Sequence, residues 1–92
     1  MNNSKITDKQ KKGLILLDMV GKAICSQELL DTKKDLLKEQ GFDTEKVNAI
    51  NATLASLVTK ELVTKDKKQY KDKLLTFYSL TESGKSYLKE NN

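Results

Sequence analysis

The apolar residues of this chain change their spacing once, near Lys60, and that switch restricts the fold more than any other feature. Before it they recur three to four positions apart, which places them on one face of a helix. After it two short runs, ELVTK (61–65) and KLLTFYSL (73–80), flank the charged stretch 66–72. They read as the strands of a hairpin. Ninety-two residues suffice for one domain, so helices and hairpin share a single small core.

Residues 1–6 read as a flexible polar start and 7–90 as the domain. Thr7 and Gln10 have the spacing of a capping box, which opens a first helix over about 8–20. Leu14, Ile15, Leu16, Leu17, Met19 and Val20 cover most of its circumference. Such a helix is expected at the centre of the domain or at a second interface. Gly13 weakens it by up to about 1 kcal/mol unless close packing needs glycine there. Gly21 stands where a helix-ending glycine belongs. Ala23 to Cys25 is a short extended stretch. Ser26 is expected to cap a second helix over about 27–40, with Leu29, Leu30, Leu36 and Leu37 on one face. Gly41 ends that helix, and Phe42 can fold back on Leu37 in a Schellman ending. With Asp43 as the next cap, Phe42 and Val47 have the spacing of a hydrophobic staple for a third helix over about 44–60. Val47, Ile50, Leu54, Leu57 and Val58 form its buried stripe. Two helices joined by so short a glycine turn make a helix-turn-helix. Thr81 can cap a last helix over about 82–90, with Tyr87 and Leu88 inward.

Missing residue types exclude whole classes of chemistry. The chain has no histidine and a single cysteine, Cys25. No zinc site and no Ser-His-Asp triad can be built from these residues. There is no glycine-rich phosphate loop and no paired-carboxylate signature, so no enzyme activity, metal or cofactor is expected. No apolar run approaches the roughly 20 residues of a membrane span, and no signal peptide is expected. A cytoplasmic protein with no membrane partner is therefore expected. All seventeen basic residues are lysine, and the net charge of +4 favours a polyanionic partner only weakly. Cys25, in an apolar stretch, is read as a small buried side chain.

The order of elements resembles a winged helix-turn-helix: mainly α, with a small β-hairpin as the wing. LASLVTKELVTK (54–65) is similar to the end of a recognition helix running into the first wing strand. FYSLTESGKSYL (77–88) is similar to the second wing strand and its ending in MarR-like and PadR-like regulators. Glu61 stands where those proteins commonly carry glycine. The resemblance covers about 7–90 and implies binding to double-stranded DNA and transcriptional regulation. A regulator, or an accessory factor of phage or plasmid type, fits that implication.

Under that resemblance the third helix meets the major groove with Lys46, Asn48, Ala49, Ala52, Thr53, Ser56 and Lys60. Small side chains let a helix backbone approach the groove floor, and asparagine can pair with adenine. The absence of arginine removes the commonest contact to guanine. In the wing, Lys67, Lys68, Lys71 and Lys73 become phosphate contacts, with Tyr70 against sugar or the hairpin. Lys5, Lys9, Lys11 and Lys12 form a second basic cluster. The first helix leaves a surplus apolar face for a homodimer. The small, nearly uncharged face of the third helix suits a protein surface as well as a groove. The alternative is thus a protein–protein interaction module, an adaptor or inhibitor of a host protein.

A domain without metal-ligand chemistry folds without metal. Thermal melting is expected to give the same midpoint with and without a strong chelator, and a large drop with chelator would contradict this reading.

Overall fold

The computed structural model describes residues 6–90. Thr7 opens α1 (Asp8–Val20) through the expected capping box. Its hydroxyl accepts the Gln10 backbone N–H at 3.1 Å, and Gln10 Oε1 accepts the Thr7 N–H at 2.9 Å. Ile6, which the sequence assigns to the flexible start, packs against the core. Residues 1–5 lie outside the described residues.

β1 (Ile24–Cys25) follows and leads directly into α2 (Ser26–Thr32). Cys25, not Ser26, is the cap: its Sγ accepts the Glu28 N–H at 3.4 Å. The end of the strand is already extended and in place, so it serves as the cap. Ser26 becomes the first helical residue and is buried. The single helix expected over 27–40 is broken at Lys33 (φ −129°, ψ 35°), and α3 (Lys34–Glu39) continues beyond it. Thr32 Oγ1 donates back to the Glu28 carbonyl at 2.9 Å, a contact that bends helices. Leu29 and Leu37, on either side of the break, are both fully buried.

The Schellman ending forms as expected. Phe42 N–H donates to the Leu37 carbonyl and Gly41 N–H to that of Lys38. Gly41 has φ +79°, which glycine adopts without a Cβ penalty. The third long helix, α4 (Val47–Thr59), starts three residues later than expected. Asp43 Oδ1 accepts the Glu45 N–H at 2.9 Å, closing a turn instead of capping a helix. Lys46 occupies the cap position without a side-chain bond, so the capped arrangement behind the Phe42–Val47 staple is not built. Phe42 is buried instead, with Lys9 Nζ 4.8 Å from its ring centre.

β2 (Val63–Tyr70) and β3 (Lys73–Leu80) pair without a break from Val63↔Leu80 to Tyr70↔Lys73. The charged loop expected over 66–72 shrinks to Lys71 and Asp72. Lysine on an exposed strand costs the ladder nothing, since each side chain stays in water. The three-stranded antiparallel sheet has the order β1-β3-β2, with Ile24 opposite Tyr78 and Cys25 opposite Phe77. Beyond Val63 the next six residues of β2 are exposed, so the hairpin reaches past the core. Glu61 lies at φ +63°, which explains why glycine suits that position.

α1 packs against α4, β3 and α5 (Glu82–Glu90). Leu14, Leu16 and Leu17 are buried, Ile15 and Val20 half-buried, and Met19 is 48% exposed. A Cβ on Gly13 would lie 3.3 Å from Leu57 Cδ1 and 3.4 Å from Thr53 Cγ2, so glycine permits the close crossing of α1 and α4. Ile50, Leu54 and Leu57 are the fully buried residues of α4, with Val47 and Val58 half-buried beside them. Among the described residues no helix is long and apolar enough to cross a membrane.

Thr81 caps α5: its hydroxyl accepts the Gly84 N–H at 3.0 Å and donates to the Glu61 carbonyl at 2.9 Å. Any Cβ on Gly84 would collide with the Leu62 carbonyl oxygen, a backbone atom held by the Thr81 N–H. Gly84→Ala is expected to destabilise the domain by about 1–3 kcal/mol or more, read as a lower urea midpoint at unchanged slope.

Candidate functional site

Between the hairpin, α2 and the first half of α4 lies an open cleft of about 610 Å³. Ser26 and Asp31 of α2, Asn48 and Asn51 of α4, and Lys67 and Lys73 of the hairpin line it. The two-residue turn and the α2–α4 packing bring these side chains together from three parts of the chain.

The residues picked from the sequence divide by location. Asn48, Ala49 and Ala52 are exposed on α4, and Asn48 faces the cleft. Lys46 is exposed at the start of α4, and Lys60 at its other end. Thr53 and Ser56 turn toward α1. Ser56 Oγ accepts from Gln10 Nε2 at 2.8 Å and donates to the Thr53 carbonyl at 2.7 Å. Thr53 Oγ1 donates to the Ala49 carbonyl at 3.2 Å.

The wing lysines also separate. Lys67, Lys71 and Lys73 line the cleft, and Lys68 does not. Lys68 Nζ sits 5.8 Å from the Phe77 ring centre. Lys71 pairs with Asp31 Oδ2 at 3.2 Å and lies 5.4 Å from the Tyr70 ring centre. In the basic cluster near the start, Lys9 Nζ donates to the Gly41 carbonyl at 2.9 Å, and Lys5 lies outside the described residues.

Asp31 is the acceptor that ties the hairpin to α2. Its Oδ2 accepts from Tyr70 OH at 2.8 Å and from Lys71, and its Oδ1 from Gln27 Nε2 at 3.2 Å. The Tyr70 hydroxyl, with Gln27 and Lys71, holds the Asp31 carboxyl below the usual carboxylate range. The same bond pushes the Tyr70 phenol up to about 12. The Tyr70 ring meets Phe77 edge-on, with centroids 6.4 Å apart.

Asn51 lies outside the set of residues that the sequence singles out. Its Oδ1 accepts from Tyr78 OH at 2.9 Å and from Ser26 Oγ at 3.4 Å. Its neighbour Ile50 is fully buried, which puts Asn51 on the flank of the helix rather than on its outer centre. The one signal in the sequence is a polar amide directly after a stripe residue. Cys25 is buried, and that burial pushes its thiol up, away from thiolate reactivity. Among the described residues no group of three or more His, Cys, Asp or Glu is placed to hold a metal.

No family profile and no curated protein matches the chain. Among solved structures it is similar to a protein from Thermoplasma acidophilum described as a candidate transcriptional regulator. The TM-score is 0.66 at 21% sequence identity, over 99% of this chain and 83% of that one. At that identity the likeness establishes a shared fold: helices around a small three-stranded antiparallel sheet.

The Asp31–Tyr70 bond has a spectroscopic consequence. Absorbance titration is expected to show one tyrosine ionising near 12 in the parent, and nearer the ordinary value of about 10 in Asp31→Ala. Because Tyr70 is raised in the folded state, its contribution is present below the unfolded value and fades as pH rises toward 12. Asp31, lowered when folded, contributes above the unfolded carboxyl value, and that contribution fades as pH falls through the folded one.

Proposed function

We propose that this protein is a winged-helix DNA-binding regulator, with α4 in the major groove and the β2–β3 hairpin as a wing on the phosphate backbone. A transcriptional regulator, or an accessory factor of phage or plasmid type, fits this reading. The observation that carries it is the convergence of Lys67 and Lys73 from the hairpin with Asn48 and Asn51 from α4 on one cleft. Lysine at the mouth of such a cleft suits a phosphate, and amides on a helix suit base edges. The fold shared with the Thermoplasma acidophilum protein and the likeness of 77–88 to MarR- and PadR-like wing strands support the same reading. Lys46, Ala49 and Ala52 extend the groove face, while Thr53 and Ser56 support it from the α1 side. Lys60 and Lys68 lie at its margins.

Self-association through α1 is a secondary part of the reading, resting on exposed Met19 and half-buried Ile15. Sedimentation at micromolar concentration decides it, and a clean 10.4 kDa monomer removes it. A protein partner is the second reading. It is favoured by Leu74, 61% exposed on the hairpin, and by the small exposed side chains Ala49 and Ala52.

Titration of random duplex DNA across a range of salt tests the DNA reading. Affinity is expected to fall steeply with salt. Lys67→Ala and Lys73→Ala are each expected to reduce the logarithmic salt slope by up to about 0.9 for every sequence alike. Lys71→Ala is expected to change it less, because Asp31 already neutralises that charge. No duplex binding by the parent even at low salt, where attraction is strongest, overturns the reading in favour of a protein partner.

A further inference from the structure

The Asn51 amide is held by its oxygen. Tyr78 OH and Ser26 Oγ both donate to Oδ1, and both donors belong to buried residues. A carbonyl oxygen has two lone pairs, so its acceptor capacity is used. Turned the other way, the amide would present N–H groups to two hydroxyls. Their own protons would then lose the Asn51 oxygen as acceptor, and burying them unpaired is costly. Burial also pushes the Tyr78 phenol up, which keeps its proton in place. Asn51 itself remains exposed and lines the cleft. Its oxygen faces inward, so its nitrogen, with two N–H donors, is left to the open side.

An asparagine in that state differs from the usual adenine reader. Pairing with adenine needs the amide oxygen to accept from N6 while the nitrogen donates to N7. Here the oxygen is already occupied. Guanine O6 and thymine O4 are acceptors at the corresponding place in the major groove, whereas adenine N6 and cytosine N4 are donors. A donor-only amide thus finds two acceptors, O6 and N7, on guanine and O4 on thymine, but only N7 beside a clashing N6 donor on adenine and only a donor on cytosine.

We propose that Asn51 is a specificity-determining residue that selects a keto base, guanine or thymine, because Ser26 and Tyr78 hold its amide oxygen and leave its N–H groups to the cleft. Ser26 and Tyr78 act as positioning residues. The proposal rests on the DNA-binding reading above and adds which residue reads a base and with what chemistry.

Selection from a duplex pool with a randomised core tests it, comparing the parent with Asn51→Ala, Asn51→Asp and the double variant Ser26→Ala/Tyr78→Phe. Each variant is first checked for cooperative melting, because Asn51→Ala leaves the Tyr78 and Ser26 hydroxyls without their acceptor and is expected to lower the melting midpoint, and base preference is compared only below that midpoint. The parent is expected to prefer a keto base at one position by roughly three- to tenfold, the scale of one hydrogen bond. Asn51→Ala is expected to lose that preference while the other positions keep theirs. Asn51→Asp, which offers only acceptors, is expected to turn it toward an amino base whatever its overall affinity. The double variant frees the oxygen and is expected to admit adenine. Identical base preferences in the parent and Asn51→Ala overturn the proposal while leaving DNA binding intact. An unchanged keto preference in the double variant overturns it as well. A parent that binds no duplex fails the DNA-binding reading and the proposal together.

Discussion

The hydrogen bond from Tyr78 to Asn51 couples the sheet to α4, and the cleft depends on it. Tyr78 lies on the central strand, with Ile24 of β1 on one side and Lys65 of β2 on the other. Its ring is buried, so an unbonded hydroxyl would cost about 1–3 kcal/mol. That cost adds to the burial of Ile50, Leu54 and Leu57 in setting the rotation of α4 about its own axis relative to the sheet. On the far side of α4, the glycine crossing with α1 fixes its distance from the core. Helix and hairpin therefore hold a defined separation before anything binds between them, which lowers the ordering cost of association.

The hairpin lysines show how little a charge count says about a surface. Lys71 serves as a strut on Asp31, and Lys68 covers the Phe77 ring. Lys71 also occupies the left-handed region at φ +55°, where a side chain costs of order 1–2 kcal/mol. Its ion pair and the neighbouring Tyr70–Asp31 bond help keep so tight a turn in place. Lys67 and Lys73 border the cleft beside Asp72 and the paired Lys71.

Much of the architecture is legible in the sequence because local chemistry dictates it. The Thr7–Gln10 box, the Gly41 ending and the Thr81 cap each depend on residues within five positions, and each forms. The departures arise where two local options compete. Asp43 closes a turn instead of capping α4, Thr32 bends a helix that the leucine spacing would continue, and Cys25 caps α2 from the end of a strand. The site was legible only in part. Asn48, Lys67 and Lys73 stand out as polar residues on exposed faces. Asp31 and Asn51 acquire their roles from Tyr70 and Tyr78, 39 and 27 positions away, and no periodicity reports such pairs.

The short strand β1 has a kinetic consequence. Its pairing with β3 joins Ile24 to Tyr78 and closes a loop through α2, α3, α4 and β2. The β2–β3 hairpin closes over a two-residue turn, so its entropy of closure is far smaller. Local hairpins form in microseconds, whereas distant pairings wait on chain search. Ser26 follows β1 directly, so the second donor to Asn51 arrives only when that long loop shuts. The lysine-bearing hairpin thus needs only a local closure, while the Ser26 bond that helps orient the Asn51 amide needs the long loop shut as well.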